Sequence, residues 1–283
     1  MAVTGLLLID KEPDWTSHDV VAKLRGTLRE RHIGHAGTLD PMATGLLVVL
    51  CGRATRASEY AEATEKEYIT ALRPGIVTDT QDVTGTVLSC SSALPTEEEL
   101  LAVLPRFTGV ISQLPPMYSA IKVGGKKLYE IARRGGEVER ESRDITIHSI
   151  EYLGRQEEDF LLRVRCSKGT YIRTLCHDIG AALGCGGAMA SLRRTACFPF
   201  SVEDACKVNE ATAERLLPLD SLFSAHPALT LSEKQERLCR CGNAFPAEAE
   251  NGEYRFYAPD GSFLAYGKVE DGSGKNIKSF FEV

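Results

Sequence analysis

Long apolar runs are missing from this sequence: no stretch approaches the roughly 18 consecutive apolar residues that a membrane-crossing helix needs. The opening Met1 to Asp14 has neither a basic leader nor a small-residue cleavage site, so neither a signal peptide nor a membrane span is expected and the cytoplasm is the default location. A disulfide framework is missing too. The nine cysteines are odd in number and scattered from Cys51 to Cys241, a pattern that predicts reduced thiols. Cys239 and Cys241 have no second pair at metal-ligand spacing, which argues against structural zinc. There is no internal repeat and no low-complexity tract. Nor is there an excess of positive charge: the net charge of −6 at first argues against a nucleic-acid partner. The distribution says otherwise. Residues 115–200 hold 14 Lys and Arg against 10 Asp and Glu, while the segments on either side are each net negative by 5. Phosphate contact depends on local clustering, so an acidic protein can still present a basic face.

What is present is ordinary for a globular chain: 283 residues, 43% hydrophobic and 25% charged, enough for one large domain or one large and one small. Gly5 to Asp10 reads as a strand, and Thr16 or Ser17 caps a helix through about Arg29. Its basic end, Lys23, Arg25, Arg29 and Arg31, either brings cations toward the next segment or complements the helix terminus. That segment, His35 to Gly45, carries one carboxylate, Asp40. Gly34, Gly37, Gly45 and Pro41 disfavour helix or strand across its middle and place Asp40 on a stiff turn before the buried strand Leu46 to Leu50. Taken alone, Asp40-Pro41 is turn punctuation.

Ala57 to Ala63 reads as a short helix and Lys66 to Leu72 as a strand with Tyr68 and Thr70 on one face. Asp79 and Asp82 lie in a turn that lacks the ordered oxygen ligands of a hard-metal loop, so a solvated turn is expected. Thr96 and Glu99 form a helix-capping pair. Val138 to Ile150 and Phe160 to Cys166 alternate as strands. Tyr171 and Arg173 stand where the chain enters a further helix, Cys176 and His177 on it do not face each other, and Leu192 alone would be a core leucine. A helix, Leu231 to Arg240, and strands at Tyr254 to Ala258, Phe263 to Tyr266 and Ser279 to Val283 suggest a small appended β unit. Between Gln113 and Gly136 the cations Lys122, Lys126, Lys127, Arg133 and Arg134 alternate with Tyr118, Tyr129 and glycines. This is either a phosphate-binding segment or a solvated basic surface.

Eight stretches, Gly5 to Asp10, Thr16 to Val21, Gly34 to Gly45, Lys66 to Tyr68, Thr78 to Gly85, Pro115 to Arg133, Cys166 to Gly184 and Leu192 to Thr195, together resemble the bacterial tRNA pseudouridine-55 synthases, the TruB family, in family order. The resemblance implies an α+β fold with a central, largely antiparallel mixed sheet flanked by helices. It implies a catalytic domain over residues 1–225 with a thumb at about 113–145. It also implies a PUA-like RNA-binding domain over 226–283, where the match is compositional and the charge negative. By the same resemblance Asp40, Tyr68 and Arg173 are catalytic, and His35, Lys66, Tyr68, Tyr171 and Leu192 bind substrate. Lys122, Lys126, Lys127, Arg133 and Arg134 meet the RNA backbone. The reaction isomerises the T-loop uridine of tRNA after flipping it out, with no cofactor, no metal, no membrane and no obligate protein partner, in a monomer. Arg173 is expected to pull the Asp40 carboxyl below its usual pKa range. Whether Asp40 acts as nucleophile or base stays open. The rivals are an RNA-binding or chaperone protein without chemistry, and a metal-dependent hydrolase using Asp79, Asp82 and the cysteines.

Overall fold

A computed structural model describes residues 3–281 except Ala120 and Arg133; for Lys122, Val123, Lys126, Lys127 and Tyr129 it describes the backbone alone. The first apolar runs form strands β1 (Gly5–Lys11), β2 (Ile33–Ala36) and β3 (Thr44–Cys51), with α1 (Ser17–Leu28) between the first two. A reciprocal pair starts α1: Thr16 accepts the Asp19 N–H, and the Asp19 carboxylate accepts the Thr16 N–H. Val20, Val21, Leu24 and Leu28 recur on one face and pack with Leu7, Ile9, Leu47 and Val49 of β1 and β3. The chain leaves the helix through Arg29 in the left-handed region, φ 52°.

Next come α2 (Ser58–Ala63), β4 (Lys66–Pro74), β5 (Ile76–Thr78), β6 (Val87–Cys90), α3 (Glu97–Val103), β7 (Gly109–Gln113), β8 (Lys122–Val123), β9 (Lys126–Lys127) and α4 (Leu128–Ala132). β10 (Arg143–Gln156), β11 (Asp159–Cys166), α5 (Ile172–Ala182), β12 (Gly187–Cys197) and β13 (Phe200–Ser201) complete the larger body. The main sheet runs β1-β3-β12-β4-β11-β10-β7, with β2 on β3 and β13 on β12. Its pairings are antiparallel except one: β12 meets β3 in parallel, Arg193 opposite Thr44 and Arg194 opposite Gly45. The fold is the expected α+β arrangement. β3 is its pivot, because its second edge is shared. β2 covers Val48 to Cys51 and β12 covers Thr44 and Gly45, and the chain from 37 to 43 leaves the sheet at this fork.

A second sheet, β14 (Ala228–Thr230), β15 (Phe245–Pro246), β16 (Gly252–Tyr257), β17 (Phe263–Glu270) and β18 (Ser273–Ser279), has the order β14-β16-β17-β18-β15 and packs α6 (Glu233–Arg240) against it. It joins the larger body through aromatic rings: Phe223 stacks on Tyr266 with centroids 4.6 Å apart, and Tyr60 meets both edge-on.

Three expectations shift. The strand expected from Val138 begins at Arg143, where pairing with β7 starts. The last strand ends at Ser279 instead of running on from it. β2, which is not among the expected strands, carries His35, because the open edge of β3 supplies partners for the Ile33–Ala36 backbone. Among the described residues no helix is long and apolar enough to cross a membrane.

Candidate active site

The 37–43 loop has almost no ladder bonds, yet its backbone is held from several sides. Ser17 Oγ accepts the Leu39 N–H at 2.9 Å and donates to the Leu39 carbonyl at 3.2 Å. The buried Lys11 ammonium donates to the carbonyls of Glu12, Trp15 and Pro41 at 3.0, 2.7 and 3.1 Å. Burial pulls the Lys11 pKa down to about 8, against the pull of Asp40 and Asp14. Arg194, 1% exposed, donates from Nη2 to the Gly37 carbonyl at 3.0 Å and from Nε to the Leu46 carbonyl at 2.7 Å, and so clamps both flanks. Two glycines make the clamp possible. Gly37 sits at φ +78°, and Gly45 at φ +97° lies where a Cβ would strike the backbone of Arg194.

The loop presents Asp40 to Arg173 in the first turn of α5. Arg173 Nε lies 3.0 Å from Asp40 Oδ2 and Nη2 lies 3.4 Å from Oδ1, so the family-implied pairing is present and forked. The same guanidinium donates to the carbonyls of Thr80 at 3.1 Å and Tyr118 at 2.7 Å. A second carboxylate approaches it from the other side, Asp82 Oδ2 at 3.8 Å. This corrects the solvated-turn expectation for Asp82, while Asp79 is exposed as expected. Asp82 is 5% exposed, and its Oδ1 accepts the Thr80 hydroxyl, the Thr84 N–H and the Thr84 hydroxyl at 2.9, 3.0 and 2.5 Å.

The ionisation of Asp40 also departs from expectation. Burial pushes its carboxyl above the usual range; Arg173 and Lys11 oppose this, and Asp82 adds to it. Desolvation outweighs the pull of Arg173 and Lys11.

Lys66 and Tyr68 project from β4 on one face, and Leu192 and Arg194 stand opposite Thr70 and Tyr68 on β12, so all of them share that face. Tyr68 and Leu192 are 7% and 8% exposed and belong to the main core; burial pushes the Tyr68 phenol far up, so it stays protonated. Lys66 Nζ donates to the carbonyls of Glu62 and Thr64 at 2.9 and 2.8 Å, and burial lowers its pKa. Burial, with Arg194 and His18 nearby, lowers the pKa of His35 and keeps its imidazole neutral at pH 7. Tyr171 is the residue that opens α5, two before Arg173. The cations at the end of α1 do not serve Asp40. Arg25 donates to the Ile33 carbonyl at 3.1 Å, and Lys11 is the lysine that donates to the loop, at the Pro41 carbonyl. Of the basic segment, Arg134 is exposed; Arg133 and the side chains of Lys122, Lys126 and Lys127 lie outside the described residues.

Sequence reasoning missed Lys11, Ser17, Asp82 and Arg194 as parts of this site. A cation buried in a strand leaves no mark in hydrophobic periodicity, and only the crowding of Thr80 and Thr84 around Asp82 hinted at an acceptor.

The model of the TruB family pseudouridylate synthase N-terminal domain matches residues 25–172, and that of the tRNA pseudouridylate synthase B C-terminal domain matches residues 173–224. The chain belongs to the TruB family of pseudouridylate synthases. It is therefore a pseudouridine-forming isomerase. Proteins named tRNA pseudouridine synthase B are similar along nearly the whole chain. That of Opitutus terrae is 48% identical over 244 residues, 86% of this chain and 95% of that one; that of Clostridium kluyveri is 37% identical over 286 residues, 98% and 99%. Among solved structures, a chain of a Cbf5-Nop10-Gar1 complex superposes with a TM-score of 0.74 at 26% identity, covering 99% of this chain and 85% of that one. A chain of an H/ACA RNP bound to a substrate RNA containing 2'-deoxyuridine gives 0.74 at 23%, with 99% and 86% covered.

Proposed function

We propose that the chain converts the T-loop uridine of tRNA, position 55, to pseudouridine, with Asp40 as the reacting carboxylate and no cofactor. In that reaction the C1'–N1 bond breaks, the base turns, C1' joins C5, the C5 hydrogen leaves as a proton and N1 gains one, so atoms and electrons balance within the substrate and solvent. The observation that carries the reading is the state of Asp40: its side chain is 36% exposed on a braced loop, and among the described residues its oxygens meet one forked cation, Arg173. A carboxylate so placed has free lone pairs for a ribose carbon or proton. Tyr171 and His35 are half-buried and Tyr68 and Leu192 buried, and we read them as the residues that receive the flipped base; base-aromatic stacking of about 1–3 kcal/mol would offset part of the cost of flipping. Arg173, held by two carbonyls, keeps Asp40 oriented.

The basic segment between Gln113 and Arg143 is read as the thumb that lies along the RNA backbone, and the five-stranded unit as a PUA-like domain. The enzyme is read as a cytoplasmic monomer. Tritium release from tRNA carrying 5-tritiated uridine tests the reaction: release without added cofactor and after exhaustive chelation is expected, and no release from any tRNA overturns it. Neutralising Lys126, Lys127, Arg133 and Arg134 together should flatten the slope of log affinity against log salt by about 0.7–0.9 for each phosphate no longer neutralised, measured by filter binding. An unchanged slope removes the thumb from the interface.

A further inference from the structure

The root of the basic segment is tied to the catalytic helix by one buried amide. Gln113 is the last residue of β7 and pairs across the ladder with Arg143, so both legs of the segment leave the sheet at this point. Its side chain turns back into the protein and is 2% exposed. Oε1 accepts the Tyr171 N–H at 2.8 Å, and Nε2 donates to the Tyr171 carbonyl at 3.1 Å. Tyr171 opens α5 without a side-chain cap of its own, and its carbonyl also accepts the first helical bond, from Leu175 N–H at 3.0 Å. The glutamine thus takes the place of a neighbouring strand for one residue, and that residue sets the direction in which α5 departs. Arg173 follows two positions later. The segment touches it once more, through the Tyr118 carbonyl at 2.7 Å.

We propose that Gln113 is a positioning residue for pseudouridine formation: by holding both backbone polar groups of Tyr171 it fixes the entry of α5, and so the seating of Arg173 on Asp40, whatever the chain beyond it does on RNA. The proposal rests on the reading of Asp40 as the reacting carboxylate. Displacing a reacting group by about 1 Å costs on the order of 100-fold in rate, so an anchor this close to Arg173 acts on turnover before it acts on affinity.

Two variants test it. Gln113→Leu removes both bonds; Gln113→Glu keeps the size and one acceptor but turns a carboxylate oxygen on the Tyr171 carbonyl. Single-turnover conversion with saturating enzyme should fall at least about 10-fold in both, while the tRNA Kd stays within about 3-fold. The acid limb of the rate profile should move to higher pH. Asp40 is faced by Arg173, Lys11, Asp82 and Tyr171, and of its two cations Arg173 is the one displaced. A rate within about 2-fold of the parent, or a fall in rate matched by Kd with the acid limb unmoved, overturns the proposal. Gln113→Glu decides the matter if Gln113→Leu does not fold. If Asp40→Asn keeps full activity, the reading of Asp40 fails; if it is dead while both Gln113 variants run at full rate, only this proposal fails.

Discussion

Two loops reach Arg173 from opposite sides, each with an aspartate, and they are built on opposite plans. The 37–43 loop is braced through its backbone by Lys11, Ser17 and Arg194 and, among the described residues, leaves the Asp40 oxygens to Arg173. The 79–85 loop is braced by its aspartate: Asp82 spends Oδ1 on Thr80 and Thr84 and keeps only Oδ2 toward the guanidinium. On the proposed reading of Asp40 as the reacting carboxylate, proximity to the arginine does not set it apart from Asp82. Spare hydrogen-bonding capacity does. A carboxylate already accepting three bonds is a poor nucleophile or base, whereas one held from behind and open in front is ready for either role.

Breaking the open side should have the largest effect. Asp40→Asn is expected to lower single-turnover conversion by on the order of 10,000-fold, with tRNA affinity within a few-fold of the parent. It should not lower Tm at pH 7. Burial raises the folded pKa of Asp40 above the ordinary value of 3.8, so the ionised form burdens the native state, and that burden lifts only as pH falls through the raised pKa. A neutral amide removes the burden at pH 7. Calorimetry showing a large drop in Tm would mean that Asp40 braces the loop after all, and the contrast between the loops would collapse.

The closed side should respond less. Asp82→Asn keeps an acceptor for Thr80 and Thr84 but turns an amide toward Arg173; a fall of about 10-fold in conversion, or about 1.4 kcal/mol, is expected. The acid limb should move to lower pH, because the charge of Asp82 helps to raise the Asp40 pKa. A shift to higher pH would show that Asp82 acts on Asp40 by holding Arg173 in place more than by its charge. The smallest effect belongs to Thr84→Val, which removes one hydroxyl from Asp82 at the surface and should cost about 1 kcal/mol in denaturant unfolding with little change in rate. A drop in rate as large as that of Asp82→Asn would place the hydroxyl in the chemistry.

Local rules made much of this visible in the sequence. The N-cap of α1, the capping pair of α3, the apolar run of β3, the alternation of β4 and β11 and the glycine turn before α5 all lie where propensity and periodicity put them, since each is decided within about ten residues. β2 did not show, because its ladder bonds are owed to an edge that β12 leaves uncovered. Resemblance, not spacing, supplied the partner of Asp40: Arg173 stands 133 residues away, beyond any local pattern. Neither route pointed to Lys11, Arg194 or Gln113. Their side chains hold backbone atoms, and no pairing of residue types announces such a bond.

The single parallel seam of the sheet has a consequence for how the enzyme comes into being. The clamp on the Asp40 loop is donated by a strand that follows the atoms it grips by 148 and 157 residues. The loop precedes β12 in the chain, and β12 lies between β3 and β4 and joins the two parts of the sheet, so the clamp exists only once β12 is in place. Contacts of such long sequence separation form late and slowly. The strand that completes the sheet is thus the strand that clamps the Asp40 loop, and a chain ending before Arg194 lacks that clamp.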